Sequence, residues 1–369
     1  MNLQPQHLPW QAVAVERLPA ALRWSVALQR ARRWEFWPAW LYYIPIVAWI
    51  IALGLRYRSP TLFTAANPLL EAGGVVGERK HEALQPLQDN APDLVAQFVL
   101  LPAGDGSARV AQAQAFAEQN GGYPLILKPD VGQRGRGVFI ARDAAQVQTY
   151  LTRFDGAVIA QRYIEGEEFG VFIARGPDDA EVQILSIVEK TFPAVVGDGR
   201  RCLRDLILAD ARARLIAESL WQRWTGRLDD VPSAGQRVPL VEIGAHCRGA
   251  LFLDATTLAS PALAATLKRL TDAVPGYCFG RLDLRCPSAA HLARGEGLRI
   301  IELNGVTAES AHIYHPDTAL LTGYAAMFQQ WQRAFEIGKS NRARGAKVTG
   351  TLELWRRFRE DLKRGEHWF

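Results

Sequence analysis

The sequence predicts an α+β fold with antiparallel sheets, preceded by a helical and hydrophobic N-terminal segment. From about residue 95, short runs rich in Val, Ile, Leu and Phe alternate with helical stretches. Strand pairs that are joined by loops and interrupted by helices are typical of α+β proteins. Before them, residues 36–55 form an uncharged run of twenty residues, which is too long for an ordinary strand.

The composition is that of a folded protein larger than an average domain, with 369 residues of which 49% are hydrophobic and 22% charged. Its changes along the chain predict four parts. These are a basic helical and hydrophobic membrane-associated segment (1–60), a connector (61–94), an α+β body (95–340, with a small lobe 95–165 and a large lobe 166–340) and a basic amphipathic C-terminal helix (341–369).

The net charge of +5 is concentrated at the two ends of the chain. Residues 1–60 hold seven Arg against two Glu, and residues 341–369 hold eight Lys or Arg against four Asp or Glu. Basic ends suit an anionic membrane surface better than a nucleic-acid groove, so we expect no nucleic-acid partner. Solvated basic tails are the alternative. The four cysteines lack zinc-type spacing, which favours reduced thiols in the cytoplasm.

Individual elements follow from periodicity and from turn residues. Helices are expected over residues 1–35, 143–154 and 203–224. Strands are expected over residues 123–129, 137–142, 157–164, 169–175, 182–190, 238–245, 280–286 and 298–304. The paired glycines of the connector predict a tight loop between residues 67 and 80.

Two neighbouring strands carry the strongest chemical signal. Alternation in GRLDLR places Arg281, Asp283 and Arg285 on one face, and alternation in RIIELNG places Glu302 and Asn304 together. If the strands pair, Asp283, Glu302 and Asn304 converge as oxygen ligands of a hard cation such as Mg²⁺. Two ordinary strands with outward charges are the alternative, but Asn is a poor strand former and Glu is only slightly better.

A glycine-rich loop follows a strand that ends in a lysine. In KPDVGQRGRGV, Lys128 precedes Gly132, Gly135 and Gly137, and such glycines let backbone amides approach anionic oxygens. A flexible hairpin is the alternative, because the chain contains neither a Walker-type nor a Rossmann-type glycine motif.

The stretch AQRYIEGEEFGV joins an apolar strand to a Gly-Glu-Glu turn. A connector of this kind can offer backbone groups to an adenine edge, and a carboxylate beyond it can accept hydrogen bonds from ribose hydroxyls. Taken alone, Glu167 and Glu168 also fit ordinary surface charges.

Together, and in this order, the three motifs resemble the ATP-grasp superfamily, in particular its carboxylate-amine ligases such as D-alanine:D-alanine ligase. The resemblance covers about residues 95–336 and implies the ATP-grasp fold, in which two α+β lobes with antiparallel sheets sandwich ATP. It implies ATP-binding roles for Lys128, Gly132, Gly135, Gly137, Gln161, Tyr163, Ile164, Glu168 and Lys190. It also implies catalytic roles for Arg281 and Lys190, and metal-binding roles for Asp283, Glu302 and Asn304.

The implied activity is ATP-dependent joining of a carboxylate to an amine through an acyl phosphate, with Mg²⁺ or Mn²⁺ as the metal. The tract KTFPAVVGDGRRCLRDLI is similar to the GDG segment of cyanophycin synthetase, which favours amide formation. Gln161 departs from the family, which often has Glu there, and residues before 95 do not resemble the usual substrate domain. Small-molecule or lipid-like substrates are expected. A non-catalytic ATP-binding protein and a ligase with a thiol acceptor are the alternatives.

Several polar residues support weaker hypotheses of a role at the site. Each has an equally simple structural or surface explanation. They are Lys80, His246, Arg248, Glu309, His312 and His315.

The apolar run admits three interpretations. Twenty helical residues cover about 30 Å, enough to span a bilayer core. However, Pro38 and Pro45 interrupt the run, and Trp37, Trp40 and Trp49 with neighbouring tyrosines favour the interface. A single span would also place five N-terminal arginines opposite a cytosolic ATP site, against the positive-inside tendency. An interfacial element at the cytoplasmic face of the membrane is therefore expected, with a span or a buried core segment as alternatives.

Overall fold

The computed structural model describes residues 17–132, 135–244 and 249–366, with only the backbone described for residues 362–366. The protein is α+β with antiparallel sheets. Its described helices are α1 (Ala20–Ala31), α2 (Ala39–Arg56), α3 (Lys80–Asn90), α4 (Gly106–Gln119), α5 (Ala144–Arg153), α6 (Leu203–Ala209), α7 (Ala217–Arg223), α8 (Pro261–Ala273), α9 (Ala289–Arg294), α10 (Leu320–Ala343) and α11 (Thr351–Glu366).

The strands form two main sheets and a small ribbon. They are β1 (Phe98–Leu101), β2 (Leu125–Pro129), β3 (Phe139–Ala141), β4 (Val158–Arg162), β5 (Glu167–Ala174), β6 (Gln183–Thr191), β7 (Ala194–Val196), β8 (Arg237–Pro239), β9 (Leu251–Asp254), β10 (Phe279–Cys286) and β11 (Arg299–Asn304). The four-stranded sheet has the order β1-β4-β2-β3, and the five-stranded sheet has the order β11-β10-β5-β6-β9. Strands β7 and β8 pair with each other.

Alternation along β5 divides the five-stranded sheet into two faces. Phe169, Val171 and Ile173 point into a core that includes residues of α3 and α8. Phe172 points to the other face, into a core with residues of α2 and α10. That second face, further along the strands, carries the polar residues described below.

The expected helix over residues 203–224 is wrong as a single element. The chain forms α6, a short 3₁₀ turn (Ala213–Ile216) and α7 instead. Asp210 explains the break, because its Oδ1 accepts hydrogen bonds from the backbone N–H groups of Arg212 and Ala213. An aspartate that caps the next turn ends the helix before it.

Other boundaries also differ from the sequence expectations. Among the described residues of the strand expected over 238–245, only Val238 and Pro239 lie in a strand, the end of β8. Residue 245, His246 and Arg248 lie outside the described residues. Of the helix expected over residues 1–35, the structure describes α1 and the start of a 3₁₀ turn (Trp34–Phe36), and residues 1–16 are not described. The C-terminal helix begins at Thr351, because α10 continues to Ala343 and a non-helical segment follows. Strands β1, β7 and β9 and helices α3, α4, α8, α9 and α10 were not expected.

Candidate active site

Strands β10 and β11 pair antiparallel, which brings three oxygen-bearing side chains together. Asp283 and Glu302 are direct cross-strand neighbours. Asn304 Nδ2 donates to Asp283 Oδ2 at 3.3 Å. The candidate metal site thus consists of two carboxylates and one amide. Within the described residues, no group of three or more His, Cys, Asp and Glu is placed to hold a metal ion.

A buried ion-pair cluster centres on Asp283. Nζ of Lys190 lies 3.0 Å from Asp283 Oδ1, and Nε of Arg281 donates to the same oxygen at 2.9 Å. Burial alone would raise the pKa of Asp283, but the charges of Arg281 and Lys190 outweigh it and lower that pKa to about 2. Asp283 is therefore a carboxylate at neutral pH.

Gly170, on the neighbouring strand β5, provides the space for this cluster. A Cβ at this position would lie 2.9 Å from Cγ1 of Val188, 3.0 Å from Cδ of Arg281 and 3.2 Å from Oδ1 of Asp283. The absence of a side chain leaves room for Arg281 to lie against Asp283. The sequence motif FGVF did not indicate this role.

A second cluster surrounds Glu168. Its Oε1 lies 3.2 Å from Lys190 Nζ, and its Oε2 accepts from Nε and an Nη of Arg285 at 3.2 and 3.0 Å. Arg285 also donates to the Tyr163 hydroxyl at 3.2 Å and to the Ile164 carbonyl at 3.0 Å. One arginine thus bonds three residues that the resemblance associates with adenosine. Strand alternation in the sequence placed Arg285 on the same face as Arg281 and Asp283, but the sequence analysis gave Arg285 no role.

The side chain of Gln161 makes its hydrogen bond outside this cluster. It is buried, and its Nε2 donates to the Ala96 carbonyl at 3.0 Å. Its amide therefore ties β4 to the residues before β1.

Two lysines connect the four-stranded sheet with β11. Lys128 is buried at the end of β2, and its Nζ donates to the Ile301 carbonyl at 2.7 Å. Burial lowers the pKa of Lys128 to about 8, although the charge of Glu302 opposes this shift. Lys80, at the start of α3, donates to the Gly132 carbonyl at 2.5 Å and lies 3.5 Å from Glu302 Oε1. Lys80 thus lies at the candidate site.

The glycine-rich loop follows β2 directly. Gly135 and Gly137 both have a φ of 70°, a left-handed conformation that glycine adopts without strain. A Cβ on Gly137 would lie 2.6 Å from Cγ of Pro129. Residues 133 and 134 of the loop lie outside the described ranges.

Three other polar residues lie after β11. The Glu309 carbonyl accepts from Arg281 at 3.3 Å, and its carboxylate accepts from the Tyr314 hydroxyl at 2.7 Å. Burial raises the pKa of Glu309 and lowers that of His312. His315 Nδ1 accepts from the Asp254 backbone at 3.1 Å, a structural contact.

Glu78, in the connector, is a site residue that sequence analysis missed. Burial and the charge of Glu302 raise its pKa to about 8, while Lys80 and the Gly305 backbone N–H oppose the rise. No periodicity marks an isolated connector glutamate, and only the fold brings it to the end of β11.

Comparison with known proteins identifies several ligases as relatives, although no protein-family model matches the chain. Cyanophycin synthetase of Trichormus variabilis is 26% identical over 118 residues, which cover 31% of this chain and 12% of that protein. The glutathione biosynthesis bifunctional protein GshAB of Streptococcus agalactiae is 22% identical over 237 residues, 58% of this chain and 31% of that protein.

Two D-alanine–D-alanine ligases also match. The enzyme of Pediococcus pentosaceus is 31% identical over 93 residues, 24% of each chain. The crystal structure of the Bacillus anthracis enzyme is 13% identical, with a TM-score of 0.40 over 72% of this chain and 69% of that one. The chain thus matches less than a third of the length of these curated relatives. They confirm its resemblance to the carboxylate-amine ligases of the ATP-grasp superfamily.

Proposed function

We propose that this protein is an ATP- and Mg²⁺-dependent ligase that activates a substrate carboxylate as an acyl phosphate and joins it to an amine. One observation carries the proposal. Lys128, from the four-stranded sheet, donates to the carbonyl of Ile301, which precedes Glu302 on β11. Lys190 and Arg281, in the five-stranded sheet, contact Asp283, the cross-strand neighbour of Glu302. Cations from both sheets therefore converge on one place beside the carboxylates, as transfer of a phosphoryl group requires.

The residues present fit a divalent cation. Asp283, Glu302 and Asn304 offer the oxygen donors that Mg²⁺ prefers, with Mn²⁺ as a substitute. Glu302 remains 30% exposed at its side chain and is accessible from solvent. Such an ion would neutralise charge on the phosphates of ATP.

The mechanism assigns separate tasks to the cationic side chains. Lys128 and Lys190 hold the phosphates while an oxygen of the substrate carboxylate attacks the γ-phosphorus and ADP leaves. Arg281 stabilises the negative charge that develops at the acyl carbonyl when the amine nitrogen attacks it. Phosphate then leaves, and the nitrogen gives up its proton. Positioning and electrostatic stabilisation supply most of the rate enhancement in such reactions.

The direct test is ADP release by the purified full chain with panels of carboxylates and amines. We expect release that requires ATP, one carboxylate and one amine together. ATP binding without turnover for any substrate set would instead indicate a non-catalytic binding protein. Release that requires a thiol in place of the amine would indicate a thioester-forming ligase.

The ligase reaction is proposed to occur at the cytoplasmic face of a membrane. Helix α2 is long and apolar enough to span a bilayer by length and composition, but its two sides differ. Tyr42, Ile46 and Leu53 are buried against the body, and Trp49 Nε1 donates to the Phe328 carbonyl of α10 at 3.0 Å. A helix bound along its length to the catalytic body would have to detach in order to span.

The other side of α2 is exposed and apolar. Its outward residues recur at helical spacing and are 39–76% exposed: Trp40, Leu41, Ile44, Val47, Ile51 and Leu55. Arginines lie at both ends of the helix. An apolar stripe with flanking cations matches an anionic bilayer surface in which α2 lies parallel to the plane. Lipid-like substrates would then be delivered from that surface.

A further inference from the structure

A cavity of about 400 Å³ lies between the end of α1 and the start of α2. Its walls are mainly apolar and include Ala27 of α1, Phe36 and Trp37 from the turn between the helices, and Leu41 of α2. Of the described residues that line it, Arg30 alone carries a charge. Cavities of about 300–1,000 Å³ with apolar walls and few polar groups are typical of small-ligand sites.

The positive charge of Arg30 lacks an anionic partner. Its guanidinium carbon lies 5.2 Å from the centre of the Phe36 ring, a cation–π contact that leaves the charge in place. Within the described part of the chain Arg30 makes no ion pair, because the nearest carboxylate in sequence, Glu35, is already occupied. Glu35 accepts from Arg212 at 2.6 and 3.1 Å and lies 3.7 Å from Arg33.

The cavity adjoins the exposed apolar side of α2. Leu41 lines the cavity and is also 39% exposed in the apolar stripe, between Trp40 and the next residue of the stripe, Ile44. Helix α1 has exposed apolar residues of its own, Trp24 and Leu28. A ligand that extends out of the cavity would therefore stay in contact with apolar surface. A guanidinium beside such a surface suits a molecule with an anionic head and apolar chains.

We propose that this cavity binds the headgroup of one anionic phospholipid, with the lipid phosphate at Arg30 and the acyl chains along the exposed side of α2. This inference rests on the proposed membrane location and deepens it. The apolar stripe alone would bind any bilayer surface, whereas a cavity with one uncompensated cation selects the charge of the headgroup.

Isothermal titration calorimetry of the full chain with dihexanoylphosphatidylglycerol, below its micelle concentration, tests the inference without a bilayer. We expect saturable binding by the wild type. Arg30→Gln should weaken this binding about tenfold, because a charge-assisted contact to the phosphate is lost. Ala27→Trp should prevent it by filling the cavity. Both positions are exposed on α1, so both variants should keep the fold.

Two other probes distinguish the possible sources of the phosphate. Inorganic phosphate should bind much more weakly, because it makes no contact with the apolar walls. Dihexanoylphosphatidylcholine should also bind more weakly, because its choline places a second cation near Arg30. Equal binding of either probe would overturn the assignment to an anionic phospholipid.

The matched control is Arg23→Gln, which changes an exposed arginine of α1 that does not line the cavity and should leave the affinity unchanged. No binding by the wild type, or equal affinity in the wild type, Arg30→Gln and Ala27→Trp, overturns the inference. Co-sedimentation with vesicles decides the proposed membrane location separately. A wild type that sediments with vesicles but does not bind the monomeric lipid would overturn the cavity inference alone.

Discussion

Lys190 and Asp283 form a buried ion pair, with the Lys190 Nζ 3.0 Å from Asp283 Oδ1. Lys190 extends from β6 across β5 to reach a carboxylate on β10. Because both side chains are buried, neither charge is compensated by water. Lys190, which we expect to bind phosphate, is thus in direct contact with Asp283, which we expect to bind the metal ion.

Asp283→Asn should destabilise the protein strongly. It leaves the buried Lys190 without its Asp283 partner, and breaking a buried pair from one side costs about 3–5 kcal/mol. Urea unfolding measures the loss. Asp229→Asn, which changes a 90% exposed aspartate, should leave the unfolding midpoint unchanged. A similarly small effect at both positions would contradict the buried-pair interpretation.

Glu302→Gln should abolish most ADP release with little loss of stability, since the Glu302 side chain is 30% exposed but is a candidate metal ligand. Activity as a function of Mg²⁺ concentration is the measurement. The control is Glu296→Gln, at a 58% exposed side chain. Unchanged activity in Glu302→Gln would show that the metal assignment is wrong.

ATP affinity should fall above pH 8. Burial lowers the pKa of Lys128 from 10.5 to about 8, so the free protein loses this positive charge as pH rises through 8. Because the folded pKa lies below the unfolded one, ionised Lys128 destabilises the fold at low pH, and its penalty disappears between about pH 8 and 10.5.

A fluorescent ATP analogue titrated between pH 6.5 and 9.5 measures this dependence. Lys128→Met should bind weakly and with a flatter pH profile, whereas Lys268→Met, at a surface lysine paired with Asp272, should keep the wild-type profile. The same slope in wild type and Lys128→Met would assign the pH dependence to another group.

Gly170→Ala should lower both stability and ADP release. The new methyl group would lie 2.9 Å from Val188 Cγ1 and 3.0 Å from Arg281 Cδ, so these side chains must shift, and overpacking of this kind costs about 1–3 kcal/mol. Thermal unfolding and activity are the measurements. Gly106→Ala is the control, since nothing lies within 4 Å of a Cβ there. An active, stable Gly170→Ala would show that the cluster tolerates a side chain at this position.

The polar face of β10 and β11 was predictable because it depends on local alternation. Arg281, Asp283, Glu302 and Asn304 share a face for the same geometric reason in any paired strands. The contacts of Arg285 were not predictable, since its partners lie more than a hundred residues away in sequence. Glu78 was missed for the same reason.

Helix α10 was missed because glycines at 323 and 338 weaken a helical pattern. The structure shows why glycine is required at residue 338. A Cβ there would lie 2.4 Å from the Leu62 carbonyl oxygen, so the glycine lets the connector pack directly on the helix. Sequence propensity measures the local cost of glycine and cannot include this tertiary gain.

Substitutions of two isoleucines on opposite sides of α2 test whether one side of the helix packs on the protein while the other side contacts a membrane surface. Ile46 is fully buried and Ile44 is 56% exposed. Ile46→Asp should unfold the α2 contact and lower the melting temperature. Ile44→Asp should leave the melting temperature unchanged but reduce co-sedimentation with vesicles that contain anionic phospholipid, because a charge on the apolar stripe opposes insertion.

Extraction with alkaline carbonate separates the interfacial arrangement of α2 from a span. A helix that lies in the membrane surface should be released by alkaline carbonate, whereas a spanning helix would stay with the membrane fraction. Full vesicle binding by Ile44→Asp, or retention after carbonate, would contradict the interfacial arrangement.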